Sequence, residues 1–325
     1  MMNGCGVAGT GNTYPGGARR PRMGEWTAAD LPDLAGQTVV VTGANSGVGL
    51  EAAREFAGAD AHVVLACRRV DAAEAAREDI AADSPGASLT VRELDLADLA
   101  SVRAFAAWAA DTLGPIDVLC NNAGVMAIPR RETADGFEQQ FGVNHLGHVA
   151  LTGLLFEQVR AAPDPRVVTQ SSGAHIRADI DFEDLHGEAS YDKWAAYARS
   201  KLANLLFAYE LDRRYDDVAS LGCHPGYAAT NLQYRGPEAE GSRIRWLAMK
   251  VANTLLAQSA AAGALPMLYA ATADDVEGGD YVGPGGLLNA RGPPEIQESA
   301  GRSYDEATAE RLWRVSVEAT GVEFP

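Results

Sequence analysis

Residues 38–49 have the sequence Thr-Val-Val-Val-Thr-Gly-Ala-Asn-Ser-Gly-Val-Gly, a β-branched run followed at once by a glycine-rich turn. The run favours a strand, and the alanine-rich residues 47–57 favour a helix. Glycines at positions 43, 47 and 49 permit a sharp turn in which backbone N–H groups and the positive helix end approach an anionic pyrophosphate. The spacing is loose, so a tight turn that only packs the helix on the strand is the alternative.

The same alternation of strand and helix continues along the chain. Strands are predicted over residues 38–42, 61–66, 89–94, 116–120, 166–170 and 218–223, with helices over residues 47–57, 71–83, 98–113, 143–159 and 194–215. Repeated βα units of this length require parallel strands with right-handed crossovers. The predicted fold class is therefore α/β, a Rossmann-type doubly wound parallel sheet with helices on both faces in a single domain. Later helices are predicted over residues 244–256 and 259–273, and a strand near Tyr281 and Val282.

The composition excludes several classes of protein. With 325 residues, 47% of them hydrophobic, the chain can fill one large core. The net charge of −17 argues against nucleic acid or an anionic membrane as a partner. No apolar stretch reaches the roughly 18 to 20 residues that span a bilayer, and the N-terminus lacks a signal-peptide core. Lysine occurs only at Lys193, Lys201 and Lys250, which indicates either a GC-rich genome that replaces Lys by Arg or adaptation to high salt.

The four cysteines, Cys5, Cys67, Cys120 and Cys223, show no CxxC or His-Cys clustering. We therefore predict no metal site and no redox motif. Four free thiols are consistent with a reducing, cytoplasmic location.

The end of the second predicted strand indicates the kind of nucleotide. In a doubly wound fold this position meets the adenosine ribose, and an acidic residue there binds a free 2′-hydroxyl. This chain instead has Cys67-Arg68-Arg69. Two guanidiniums after an uncharged residue can pair with a 2′-phosphate, which favours NADP(H) over NAD(H). A pair of solvent-exposed arginines is the alternative interpretation.

Two further loops belong to the predicted nucleotide site. Asp95 and Leu96 follow the third strand, and Asp95 is placed to accept a hydrogen bond from the adenine amino group. Asn121-Asn122-Ala123-Gly124 closes the fourth strand, where the small residues leave room for the cofactor.

Tyr197 and Lys201 lie four residues apart on a predicted helix, hence on one face and within about 6 Å at the Cβ atoms. A phenol with an ordinary pKa of about 10 is a poor base at neutral pH, and a nearby ammonium stabilises its phenolate. Ser171 and Ser172 end the fifth strand at the carboxyl edge, where such sheets bind ligands, so a hydroxyl there can position a substrate oxygen. Asn144 can hold the lysine through an ordered water, although a helix cap is the plainer role for an asparagine there.

These residues together closely resemble the classical short-chain dehydrogenase/reductase family over roughly residues 36–290. The matching motifs are Thr42-Gly43-x-x-x-Gly47-x-Gly49, Asn121-Asn122-Ala123-Gly124, Asn144, Ser172, Tyr197-x-x-x-Lys201 and Pro225-Gly226. Four stretches resemble the retinol dehydrogenase-like and protochlorophyllide reductase-like branch of that family. They are Ala66-Cys67-Arg68, Gln170-Ser171-Ser172-Gly173-Ala174-His175, Ser200-Lys201-Leu202-Ala203-Asn204 and His224-Pro225-Gly226. Ser172 precedes Tyr197 by 25 residues, longer than is usual in the family but shared by that branch, which favours Ser172 over Ser171.

The resemblance implies an oxidoreductase that interconverts an alcohol and a carbonyl on a lipophilic small molecule. A hydride would move between nicotinamide C4 and the carbonyl carbon, with Tyr197 as acid or base and Ser172 polarising the oxygen. Lys201 would also bind the nicotinamide ribose, and Asn144 would support the proton relay. The predicted cofactor-binding residues are Gly43, Asn45, Ser46, Gly47, Val48, Gly49, Arg68, Asp95, Leu96, Asn122, Ala123, Gly124, Tyr197, Lys201, Pro225, Gly226 and Thr230.

The ends of the chain and one late segment lie outside the βα pattern. Residues 1–22, rich in glycine and without hydrophobic periodicity, are predicted to be a disordered leader, with Met23 as an alternative start. Residues 23–325 then form the single domain. The family implies a substrate lid over about residues 231–257, whose apolar side chains alternatively belong to the core; these are Trp246, Leu247, Met249, Val251 and Leu255.

Three further expectations concern the assembly, the function class and the histidines. Family members commonly form homodimers or homotetramers through the helices that contain Asn144 and Tyr197, and we expect the same here. A non-catalytic nucleotide-sensing protein of the same fold is the alternative function, but such proteins usually lose the Tyr/Lys pair. His145 and His148, three residues apart with no acidic partner, are interpreted as packing or surface groups, and His175 and His224 match the branch without a known chemical duty.

Overall fold

A single sheet organises the molecule, whose computed structural model describes residues 26–226, 259–286 and 289–325. The strands are β1 (Thr38–Thr42), β2 (His62–Cys67), β3 (Leu89–Glu93), β4 (Val118–Asn121), β5 (Arg166–Gln170), β6 (Ala219–Cys223), β7 (Tyr281–Pro284) and β8 (Pro294–Gln297). Their spatial order is β3-β2-β1-β4-β5-β6-β7-β8. All neighbours pair in parallel except β7 and β8, which are antiparallel. The predicted α/β fold class is confirmed.

Helices follow most of the strands, and several of the helices begin at a side-chain cap. They are α1 (Gly47–Gly58), α2 (Val70–Asp83), α3 (Leu99–Thr112), α4 (Gln139–Phe141), α5 (Gly147–Arg160), α6 (Lys193–Arg214), α7 (Ala260–Thr272) and α8 (Glu306–Thr320). Asp98, Asp192, Ser259 and Asp305 accept backbone N–H groups at the starts of α3, α6, α7 and α8. In the part of the chain described, no helix is both long and apolar enough to cross a membrane.

The alternation of side chains along the strands creates two apolar layers. Val39 and Val41 of β1 point to one face, where α1, α2 and α7 pack. Val40 points to the other face, where α3 and α5 pack and Phe207 of α6 contributes an aromatic ring. β-branched residues at the sheet centre are therefore buried on both faces, as a parallel sheet requires. Helix α8 adds an outer layer across α5 and α6.

The structure corrects the predicted helix over residues 143–159. The helical segment starts earlier, with α4, and passes through a π-helical turn, Gly142–Leu146, before α5 begins. Asn144 lies inside this turn. π-helical turns inside α-helices often mark functional positions because they displace the backbone hydrogen-bond ladder.

Two elements near the C-terminus were missed, β8 and α8. For α8 the local signals were present in the sequence: Asp305 caps its start, and Gly321 ends it with a φ of 60°. A left-handed residue after the last turn is the usual position for glycine. The predicted leader, the helix over residues 244–256 and the lid over residues 231–257 lie outside the described residues.

Candidate active site

A cavity of about 380 Å³ opens at the carboxyl edge of the sheet, between the loops that follow β1 to β6. This is the edge at which open α/β sheets bind ligands. Its lining includes these predicted cofactor residues: Gly43, Asn45, Ser46, Gly47, Val48, Gly49, Arg68, Asp95, Leu96, Asn122, Ala123, Gly124, Tyr197, Lys201, Pro225 and Gly226. Ser172 also lines the cavity, whereas Thr230 lies outside the described residues.

The glycine turn is held close against the loop after β4. A Cβ on Gly49 would lie 2.4 Å from Asn122 Nδ2 and 2.7 Å from the Gly43 carbonyl oxygen. Gly43 itself has a φ of +69°, a conformation that side chains disfavour. Asn122 Nδ2 donates to the Thr42 carbonyl at 2.7 Å, which fixes this approach. The turn thus brings backbone N–H groups and the start of α1 to the cavity wall.

The far end of the cavity carries two arginines and one carboxylate. Arg68 is about half exposed, and its Nε lies 4.0 Å from Asp95 Oδ2, a loose and solvated ion pair. Asp95 Oδ1 accepts the Ala97 N–H at 3.0 Å, so the loop itself orients the carboxylate. At position 67 there is a buried thiol whose pKa burial raises to about 11, so the end of β2 presents no negative charge. Arg69 completes this cationic end of the lining.

Lys201 is buried on α6, one helical turn after Tyr197. Its Nζ donates to the Gln170 carbonyl at 2.9 Å, and Asn204 Nδ2 donates to the same oxygen at 2.9 Å. Burial lowers the pKa of Lys201 to about 8. An amine with this pKa can both hold a charge and release a proton near neutral pH.

Tyr197 forms the inner wall of the cavity beside Ser172. Burial raises the pKa of the Tyr197 phenol, and a side-chain hydrogen bond with Ser172 lowers it by less. The sequence predicted that Lys201 would lower this pKa, but desolvation dominates and the net shift is upward. The phenol is therefore protonated at neutral pH, the form that donates a proton.

The two serines at the end of β5 have different partners. Ser171 Oγ donates to the Lys201 carbonyl at 2.8 Å and so anchors the backbone of α6. Ser172 begins the turn Gly173–Arg177, and its Oγ accepts the Ala174 N–H at 3.3 Å, a weak contact. Of the two hydroxyls, that of Ser172 lies beside the Tyr197 phenol.

Asn144 is fully buried and does not line the cavity, and it does not cap a helix. Its Oδ1 accepts the Val125 N–H at 2.8 Å, and its Nδ2 donates to the Val125 carbonyl at 2.9 Å and to Ser200 Oγ at 2.9 Å. A Cβ on Gly124 would lie 3.1 Å from Asn144 Oδ1 and 3.6 Å from Lys201 Nζ. Both groups therefore border the same small space, while the water-mediated link between them stays a prediction.

Two histidines beside this site have contacts that the sequence did not predict. His175 Nδ1 lies 2.7 Å from the Ser172 carbonyl, and its Nε2 accepts the Ala300 N–H at 3.1 Å. His148 bonds to Asn144 and Thr42. Ala300 and Thr42 lie 125 and 106 positions from the histidines that they contact, so spacing could not have revealed these two bonds. Ser172 and Asn144 are only three and four residues away from His175 and His148. Among the described residues, no cluster of His, Cys, Asp and Glu could hold a metal ion.

Residues 37–240 match the family model described as short chain dehydrogenase. The chain belongs to the short-chain dehydrogenase family. Retinol dehydrogenase 13 of Homo sapiens is 40% identical to this short-chain dehydrogenase over 297 residues, which cover 90% of the chain and 87% of that protein. Retinol dehydrogenase 14 of Mus musculus is 39% identical over 304 residues, which cover 88% of the chain and 86% of that protein. The resemblance to the retinol dehydrogenase-like branch is confirmed.

Solved structures agree with the family assignment. An uncharacterized protein from Mycobacterium Paratuberculosis matches this dehydrogenase with a TM-score of 0.75 at 43% identity, covering 92% of the chain and 99% of that one. A protein from Beutenbergia cavernae, described as an NAD(P) dependent gluconate 5-dehydrogenase with bound NADP at low occupancy, matches with a TM-score of 0.57 at 27% identity. It covers 74% of this chain and 91% of its own. Of these two structures, the second is the one whose description names a nicotinamide nucleotide.

Proposed function

We propose that this short-chain dehydrogenase is an NADP(H)-dependent enzyme that interconverts an alcohol and a carbonyl on a lipophilic small molecule. The observation that carries the proposal is one continuous cavity. It has two guanidiniums, Arg68 and Arg69, at one end, and the hydroxyls of Tyr197 and Ser172 at the other. A phosphorylated dinucleotide that reaches between these ends would bring its reactive ring to the phenol.

The cavity lining fits such a cofactor by its donors. Backbone N–H groups of the turn at Gly43 to Gly49 suit the pyrophosphate, and the uncharged end of β2 beside Arg68 suits a 2′-phosphate. The bound nicotinamide supplies or accepts the hydride at C4. Lys201 and Tyr197 would hold its ribose, and Gly226 would lie against the ring and diphosphate.

At the reacting end, three side chains of this chain would handle the substrate oxygen. Ser172 would donate a hydrogen bond to the carbonyl oxygen and Tyr197 would transfer its proton to that oxygen. Lys201, with its lowered pKa, would return a proton to the phenolate. The raised pKa of Tyr197 keeps the phenol protonated at neutral pH, the form that donates a proton to a carbonyl oxygen.

The apolar part of the lining supports a lipophilic substrate. Val125, Met126, Val143 and Ala174 line the cavity together with Trp194, an indole that is 51% exposed. An exposed indole edge-on to Tyr197, at 6.4 Å between ring centroids, offers a flat apolar surface beside the reacting oxygen. Apolar walls with a few polar groups are typical of small-molecule sites.

Location and assembly are further parts of the proposal. We propose a cytoplasmic protein and keep the homo-oligomer as a prediction. One feature works against an oligomer through α5 and α6: α8 packs across both helices, with Trp313 stacked on Phe207 at 5.6 Å. A monomeric mass in sedimentation equilibrium would contradict the oligomer without affecting the chemistry.

The test is turnover of a panel of aldehydes with NADPH, followed at the nicotinamide absorbance. Tyr197→Phe should lower kcat by about 100-fold or more, because it removes the transferable proton. Tyr191→Phe is the matched control, since Tyr191 bonds to Glu138 and to the Ile128 carbonyl and not to Ser172. Equal turnover by Tyr197→Phe and the unmodified chain would overturn the mechanism. Nucleotide binding without any turnover would favour the non-catalytic sensor.

A further inference from the structure

His148 lies between Thr42, at the end of β1, and Asn144, although it lines neither the cavity nor the solvent-exposed surface. Its ring is completely buried on α5. Nδ1 lies 3.0 Å from the Asn144 carbonyl oxygen, and Nε2 lies 3.0 Å from Thr42 Oγ1 at the end of β1. Both ring nitrogens are therefore hydrogen-bonded.

The partners determine where the ring carries its proton. A carbonyl oxygen can only accept, so Nδ1 carries the hydrogen and donates to Asn144. Nε2 is then the acceptor for the single hydroxyl proton of Thr42, for which the Cys120 carbonyl at 3.2 Å is the other acceptor within reach. Thr42 Oγ1 also accepts the N–H groups of Asn122 and Ala123, each at 2.9 Å, which occupy both of its lone pairs. A charged ring would direct a second N–H at an oxygen with no lone pair left, so this arrangement requires the neutral ring.

Each end of His148 continues into a different part of the site. Through Thr42 it reaches the loop Asn122–Gly124, which lines the cavity beside the glycine turn. Through Asn144 it reaches Val125 and Ser200, the residue before Lys201. In the described structure the ring thus joins β1, the β4 loop, the π-helical turn and α6.

We propose that His148 is a positioning residue that couples the loop Asn122–Gly124 to Asn144, so that both hold one arrangement relative to Lys201. This inference rests on the proposed function. The surrounding charged and titratable groups are Lys201 and His145, whose charges would both disfavour a charged His148. His145 itself bonds elsewhere, with its Nε2 at 2.8 Å from Ser316 Oγ of α8.

Two substitutions separate the two bonds. In His148→Asn the amide nitrogen can take the place of Nδ1, so the bond to Asn144 is kept and the bond to Thr42 is lost. In His148→Gln the amide oxygen can take the place of Nε2, so the bond to Thr42 is kept and the bond to Asn144 is lost. The readouts are the Kd for NADPH by fluorescence titration and the pH profile of kcat.

We expect His148→Asn to raise the Kd for NADPH about three- to tenfold with an unchanged pH profile, since Thr42 can still turn to the Cys120 carbonyl, 3.2 Å away. We expect His148→Gln to lower kcat about tenfold and shift the pH profile, with Kd within about twofold of the unmodified chain. His145→Gln is the matched control: a buried histidine of the same helical segment that should change neither readout.

Several outcomes would overturn the coupling. If both variants change Kd and kcat by one common factor, or change neither, His148 only fills space. An unmodified chain that fails to bind NADPH counts against the proposed function instead. Selective ¹⁵N-histidine NMR of the unmodified protein gives a measurement that is independent of folding in the variants. A charged ring or a proton on Nε2 at pH 7 would contradict the inference.

Discussion

The two ends of the cavity are built from different materials. The nucleotide end consists of backbone turns around Gly43 and Gly49, with partly exposed side chains such as Arg68. The end beside Tyr197, which we propose to be catalytic, includes the buried side chain of Lys201, with the buried Asn144 nearby, and the polar atoms of both bond to other protein groups. One end is thus specified by space and backbone conformation, and the other by desolvation and hydrogen bonding.

This difference determines how each end responds to change. A backbone cradle tolerates most changes of charge but not an added Cβ, because the neighbouring backbone cannot move away. A buried polar cluster tolerates changes in volume poorly and changes in hydrogen bonding worse, since an unpaired buried group loses its solvation without compensation. Exposed charges are screened by solvent and contribute least.

The largest effect is expected at the catalytic end, from Lys201→Met. The substitution removes the buried ammonium that donates to the Gln170 carbonyl, and kcat should fall about 10³-fold. Burial lowers the pKa of Lys201 to about 8, so the unmodified enzyme should lose activity as pH rises through about 8. That alkaline limb should disappear in the variant. Lys193→Gln, at the start of the same helix, should change kcat by less than about twofold; a similar loss there would contradict a specific role for Lys201.

The sequence predicted the two ends unequally. The glycine turn was readable because its determinants are adjacent in the chain, and the strand-helix alternation supplied the sheet edge. The Tyr197/Lys201 pair was readable because one helical turn separates them. The bonds of Asn144 to Val125 and Ser200 join residues 19 and 56 positions apart, so they could not be read from spacing. The same applies to His148 and Thr42, which are 106 positions apart.

The next effect belongs to the nucleotide end and concerns Gly49→Ala. The new methyl would overlap Asn122 Nδ2 and the Gly43 carbonyl, so the free energy of unfolding should fall by about 1–3 kcal/mol. NADPH binding should weaken with it, because the turn must open. Gly58→Ala, at the end of the same helix, meets only Ser84 Oγ at 3.8 Å and should be within about 1 kcal/mol of the unmodified protein. Urea unfolding checks both; equal stability of the two variants would show that the close approach is unimportant.

A third prediction uses the buried histidines to test whether desolvation controls the interior. Burial lowers the pKa of His145 to about 3 and those of His148 and His224 to about 4, below the value of about 6.5 in an unfolded chain. Below pH 6.5 these histidines therefore bind protons in the unfolded chain but stay neutral in the folded chain. The contribution of these histidines to the free energy of unfolding should be fully present above about pH 6.5. It should be lost as the pH drops toward 4, which lowers the free energy of unfolding by on the order of a few kcal/mol.

Urea unfolding at pH 7, 6 and 5 measures this loss. His145→Gln cannot take up the proton, so its stability should decline less steeply than that of the unmodified chain. Parallel slopes for the two proteins would mean that carboxylates, and not this histidine, control acid unfolding.

The smallest effect is expected from Arg68→Ala, at the exposed end of the cavity. Because the ion pair with Asp95 is long and solvated, its loss should change the free energy of unfolding by less than about 0.5 kcal/mol. The guanidinium should matter only to a 2′-phosphate, so the Kd for NADPH should rise about tenfold while that for NADH stays the same. Arg77→Ala, on α2 and paired with Glu74, is the control that should leave both affinities unchanged. Equal losses for the two nucleotides would assign Arg68 to the common adenosine part, and the preference for NADP(H) would then have to come from Arg69, the other guanidinium of the lining.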